Sequence, residues 1–212
     1  MIYNFPRKKR NQITNYLTFS SPEPFSISVA TPGWNGKLYC STDTKTWAEW
    51  TGTEVNATEA DGSYALYFAG VGNTKISGDA SYRWTLNGSS ISCTGNIESL
   101  LDYETVAAGQ HPAMAEKCYR NMFSGCTSLT TAPSLPATTL AFYCYSYMFY
   151  GCTSIKLAIS KSREYDKEYR IPKSGNGVTA SSALNNMFTQ TGGTFTGTPS
   201  INTTYYTSNT IV

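Results

Sequence analysis

Six cysteines, one histidine and a handful of carboxylates are the residues from which this chain of 212 could build chemistry. Cys118, Cys126, Cys144 and Cys152 make two C-x7-C pairs, which is not a zinc spacing, and His111 is the lone imidazole. Nucleophilic catalysis of the Ser-His-Asp or Cys-His kind must therefore use His111, yet no nucleophile motif accompanies it beside Pro112. Glu98, Asp102 and Glu104 are close enough in sequence to imagine a glycosidase couple, but their plain reading is a solvated surface. Asp43, Asp61 and Asp79 stand near turns without the acidic spacing of a calcium loop, and Gly70-Val71-Gly72 is too short to cradle a phosphate. No catalytic residue, cofactor or metal ligand is assigned on these grounds.

Four of the cysteines belong to a stretch written twice. CYRNMFSGCTSL runs from Cys118 to Leu129 and CYSYMFYGCTSI from Cys144 to Ile155, a constant offset of 26. A third, altered copy starts at Ala183, with Met187 lying 39 positions after Met148. A period in the twenties is that of leucine-rich repeats, whose units bury an apolar face only by stacking on a neighbour. Pro112 is placed to open a helix with Ala115, Cys118 and Met122 on one face and Gly125 as its left-handed cap. Leu140, Cys144 and Met148 fall at i, i+4 and i+8, which predicts a second helix from Thr138 or Thr139 to Gly151. The third is expected over 181–189. Each unit thus reads as helix, glycine cap, short strand and proline turn. Successive helices pack about 8–10 Å apart, a poor fit to disulfide reach, so buried free thiols are the expected state of the cysteines.

Upstream, the pattern shifts to short runs of period two, punctuated by Asn35-Gly36, Asp61-Gly62, Gly72-Asn73 and Asn87-Gly88. Strands at that spacing over 17–94 predict a β-sandwich, with Trp34, Trp47, Trp50 and Trp84 filling its core. The expected fold class is α+β: an N-terminal β-sandwich followed by a short leucine-rich-repeat-like β/α solenoid. Residues 1–16 read as an arm and 95–212 as the repeat domain, with a charged insertion over 159–174 and a C-terminal cap.

The net charge of +2 gives no reason to expect a nucleic-acid partner. No segment approaches the roughly 18 apolar residues of a membrane span, so membrane insertion is not expected. Charges stand where a signal peptide would place its apolar core, so export by that route is not expected either. The arm joins Tyr3 and Phe5 to the run Arg7-Lys8-Lys9-Arg10 and is the candidate for docking on a larger assembly. Arg163, Tyr165 and Tyr169, in the most charged run of the chain, are the candidates for an exposed contact surface.

The units CYRNMFSGCTSLTTAPSLPATTLAFY and CYSYMFYGCTSI resemble the BspA-type leucine-rich repeats of bacterial surface proteins and of phages infecting gut bacteria. The strand-rich half, with Gly95-Asn-Ile-Glu-Ser-Leu-Leu before the repeats, is similar to the companion domain of such phage proteins. The resemblance implies a virion-surface protein without catalysis, a head fibre, capsid decoration or tail fibre subunit. Its partners would be other virion proteins and a host-surface glycan or protein, and homo-oligomers, trimers among them, are common in such fibres. The alternative is a bacterial cell-surface adhesin binding host matrix or glycans. A glycan hydrolase would need acidic residues converging in a cleft.

Overall fold

Apolar alternation sets the first half. In the computed structural model, which describes residues 12–208, it builds β1 (Leu17–Ser21), β2 (Ser26–Val29), β3 (Lys37–Ser41), β4 (Ala48–Trp50), β5 (Val55–Asn56), β6 (Thr58–Ala60), β7 (Ser63–Val71), β8 (Trp84–Asn87) and β9 (Ile91–Thr94). Strands β9, β1, β7, β3 and β4 lie side by side in one sheet, and β5, β2 and β8 form another. Trp84 of the smaller sheet meets Phe19 at 6.0 Å, Phe68 at 5.2 Å and Trp50 at 5.0 Å from the larger one. Burying each such ring contributes about 1.5–3 kcal/mol. Trp50 and Trp84 are core residues, as expected; Trp34 stacks on Trp50, and Trp47 is half-buried against Tyr16. Asp61 and Gly62 both take positive φ, 51° and 80°, where the chain reverses from β6 into β7.

The second half holds β10 (Leu129–Thr131), β11 (Thr139–Leu140), β12 (Lys156–Ala158), β13 (Tyr165–Ile171), β14 (Val178–Thr179), β15 (Gly192–Gly193) and β16 (Thr203–Ser208). Here the expected α+β class and its β/α solenoid are overturned. Among the described residues the single α-helix is α1 (Tyr103–Ala107), capped by the Asp102 carboxylate on the Thr105 amide at 2.9 Å, and none forms over 112–125, 138–151 or 181–189.

Each expected repeat helix is instead a ribbon of tight turns. Positive φ recurs every fourth residue: Lys117, Asn121 and Gly125 in the first copy, Tyr143, Tyr147 and Gly151 in the second, Ser182, Asn186 and Gln190 in the third. An α-helix has no room for such residues. Alternate amides close turns three residues back, as Met122 N–H does on Tyr119 C=O at 3.1 Å. The others leave the copy: Tyr119, Asn121 and Phe123 donate to the carbonyls of Cys144, Ser146 and Met148, and Tyr145, Tyr147 and Phe149 to those of Ala183, Asn185 and Met187. Backbone groups that a helix satisfies internally are satisfied here between copies.

Buried pairs then recur every fourth residue, with Ser146 buried as well in the second copy, and like stacks on like. Tyr119 lies on Tyr145 at 5.5 Å, and Phe123, Phe149 and Phe188 form a column with steps of 5.7 and 5.3 Å. Met122, Met148 and Met187 are fully buried beside them. Both ends of the column are covered. Ile76 and Trp84 amides donate to Cys118 and Met122 carbonyls at one end, while Thr198 Oγ1, Gly197 C=O and Thr196 Oγ1 accept from Asn186, Phe188 and Gln190 amides at the other. Strand β10 pairs in parallel with β9, so the larger sheet runs on into the repeats.

Candidate functional site

The arm residues Tyr3, Phe5, Arg7, Lys8, Lys9 and Arg10 lie outside the described residues. The charged run over 159–174 contains strand β13, which pairs with β16 from Tyr165 to Ile171 with a register shift between Tyr165 and Lys167. Of its three candidate contact residues, only Arg163 is exposed. Tyr165 and Tyr169 are corrected: Tyr165 is buried, and Tyr169 is half-buried, with its ring on Phe188 and its hydroxyl donating to the Pro133 carbonyl at 3.0 Å. Pairing with β16 turns these rings inward, and the charges between them point out.

The solvated-surface reading of Glu98 is also corrected. Glu98 lies in a 3-10 turn (Ile97–Leu100), 1% exposed, because Asn96 caps that turn and folds it against the larger sheet. Its Oε2 stands 2.8 Å from Nδ1 of the half-exposed His111, and its Oε1 is buried without a hydrogen-bond partner. Burial pushes the Glu98 carboxyl above the usual range, partly offset by His111. Among the described residues no hydroxyl or thiol hydrogen-bonds to the His111 of this pair. The pair makes a pH prediction. Between the ordinary glutamate value and the raised one, the folded state binds the proton more tightly, so stability falls as pH rises through that window. Glu98→Gln removes this term. Thermal melts from pH 4 to 8 should show the variant gaining on the parent as pH rises, and a constant difference contradicts the assignment.

The cysteines are structural. All six are free, and the thiols of Cys126 and Cys152 donate to the carbonyls of Trp84 and Phe123 at 3.3 and 3.0 Å. Burial pushes Cys126 and Cys144 up to about 12, which keeps both protonated and unreactive.

A groove of about 600 Å³ lies where the larger sheet meets the repeats. Its wall on the sheet side carries Ser20 of β1 and Ser92 of β9, directly opposed in register, with Thr130 of β10 beside them. Ser154, Lys156 and Ser208 close it from the repeat side. The sheet alternation produces this face: Phe19 and Cys93 point into the core, so their neighbours Ser20 and Ser92 point the other way. Repeat geometry adds the cation, because Lys156 occupies the position that Thr130 holds 26 residues earlier. The Thr130 hydroxyl donates to the Ile91 carbonyl at 3.1 Å. The Ser92 hydroxyl, in a residue 7% exposed, has no partner. Lys156 is the one charged side chain in the lining and makes no ion pair among the described residues.

None of these groove residues was singled out by sequence reasoning, and only the offset between Thr130 and Lys156 could have drawn notice. The lining combines a larger apolar area with hydroxyls and one ammonium, the Ser92 hydroxyl being buried and the Thr130 hydroxyl already bonded within the protein. No helix among the described residues is long and apolar enough to cross a membrane. Comparison with protein-family models, curated proteins and solved structures finds no match to the chain.

Proposed function

We propose that this chain is a non-catalytic structural protein exposed on a phage virion, a head fibre or decoration subunit or part of a tail fibre, that serves adhesion to the host surface. The observation carrying the adhesive part is the groove, whose lining mixes hydroxyls with a larger apolar area, held on a scaffold whose copies share backbone hydrogen bonds and a continuous ring column. Rigid support of this kind lets such a surface bind without first being ordered. The virion part is supported by the likeness of Cys118–Ile155 to BspA-type repeats. In this reading the basic aromatic arm docks on other virion proteins and the subunit works as a homo-oligomer.

Two measurements test it. Mass spectrometry of density-purified particles should find peptides of this chain, and their absence sinks the virion reading. Ser154→Trp should fill the groove from its partly exposed rim and lower adsorption of particles to host cells about tenfold with the melting temperature unchanged; unaltered adsorption removes the groove from the proposal.

A further inference from the structure

The second repeat copy carries rings at partly exposed positions where its neighbours carry none, and we propose that this face docks an acidic segment of a partner protein. Tyr143, Tyr147 and Tyr150 stand where the first copy has Lys117, Asn121 and Ser124 and the third has Ser182, Asn186 and Thr189. The ribbon therefore folds without rings at these positions. Tyr147 is placed against local preference. Its φ is 57°, a left-handed value that the asparagines of the other copies, Asn121 and Asn186, adopt far more readily than a tyrosine does. None of the three rings is a core residue, and each is partly exposed. Residues that break a local rule without a gain in core packing mark a functional surface.

The rings run as one strip. Phe142, the exposed end, meets Tyr143 at 4.1 Å, and Tyr147 meets Tyr150 at 5.7 Å. Arg120 of the first copy bridges the gap, its guanidinium 5.5 Å from the Tyr143 ring and 5.9 Å from the Tyr147 ring. Asn186 of the third copy donates to the Tyr147 hydroxyl at 2.9 Å, so all three copies hold the strip. Tyrosine and arginine dominate the binding energy of protein interfaces, since they bring a large contact surface at little entropy cost. Arg120 sets the charge of the partner. Stacking uses the face of a guanidinium and leaves its edge free for a carboxylate. Its Nε is buried, so the two Nη amines are the donors a partner can reach, and no ion pair or hydrogen bond engages them among the described residues. Lys117 is already paired with Glu116 at 2.7 Å. A nucleic acid would need several cations along its track, and a stacked sugar would need the ring faces over which Arg120 already lies. The strip shares no residue with the groove, so this inference goes beyond the adhesive reading and does not rest on it.

The test is selection of a random dodecapeptide display library on the immobilised full chain, with the best binder then synthesised and titrated by fluorescence anisotropy. The selected peptides should carry Asp or Glu beside an apolar residue. Arg120→Gln should weaken the peptide about tenfold, and so should a triple variant, Tyr143→Ser, Tyr147→Asn and Tyr150→Thr, that gives the second copy the face of the third. Because the third copy folds with those residues, the triple variant should melt within about 4 °C of the parent; a larger loss makes the rings structural and overturns the surface. Selection that enriches no peptide sensitive to these variants overturns the docking site. Strip-dependent peptides without acidic residues, insensitive to Arg120→Gln, overturn the acidic partner. Oligothymidylate and maltohexaose are titrated alongside, and tighter binding of either at the strip overturns the assignment to a protein. Ser154→Trp should leave peptide binding at the parental level, which separates this result from the fate of the groove.

Discussion

Met148→Asp is expected to leave no folded stack. Met148 is fully buried, and its carbonyl accepts the Phe123 amide. An aspartate there would place a charge with no partner in the core, at a cost of several kcal/mol, comparable with the whole margin of about 5–15 kcal/mol that keeps a domain folded. The loss should not stop at the repeats. Phe123 lies 6.0 Å from Phe19 and 6.1 Å from Trp84, so repeat and sandwich share one core. Circular dichroism should show both halves lost together, whereas Met148→Leu, which keeps volume and polarity, should cost less than about 1.5 kcal/mol. A Met148→Asp protein with a parental melt would overturn the packing described.

Gly70→Ala carries the second large effect. A methyl on Gly70 of β7 would sit 1.6 Å from the Leu100 carbonyl oxygen and 2.8 Å from the Asn73 amide nitrogen. Neither neighbour has room to retreat, because that carbonyl also accepts from Asn73 Nδ2 at 3.0 Å. The strand and the turn that holds Glu98 must part, at a cost of about 3 kcal/mol or more. Gly72, two residues on, is the control. Its φ is 64° but a methyl there meets nothing within 4 Å, so Gly72→Ala should cost only the left-handed penalty of about 1–2 kcal/mol. Urea unfolding separates the two variants, and equal losses would refute the contact argument.

What the sequence disclosed follows from the reach of each signal. Alternation in Leu17-Thr-Phe-Ser and the Asp61-Gly62 turn are local, and both are found where expected. The 26-residue offset found the stack and its Met and Phe column, since a repeat is legible whatever backbone carries it. The backbone itself was misread for a definable reason. Burial at Cys118, Met122 and Cys126 has period four, and an α-helix drifts by only about 40° over each step of four residues, so two turns cannot separate helix from ribbon. The residues that decide it, Lys117, Tyr143 and Tyr147, rarely take positive φ, and nothing in their chemistry announces it. Glu98 was unreadable as a buried group because its burial depends on how the Asn96 turn docks. The groove was hidden more thoroughly. Ser20, Ser92, Thr130 and Ser154 are ordinary members of a chain rich in hydroxyls, and only the pairing of β1, β9 and β10 brings them together.

The ladder between copies has a direction: each copy offers amides to the next and carbonyls to the one before. Every internal copy therefore presents one face as a plug and the opposite face as the matching socket. The sandwich fits the first socket, and residues 196–198 close the last plug. Length is thereby decoupled from both ends. A tandem duplication of 26 residues would slot between existing copies without altering either terminus, which gives such a protein an inheritable means of changing its reach in fixed increments while its anchoring and closing parts stay constant.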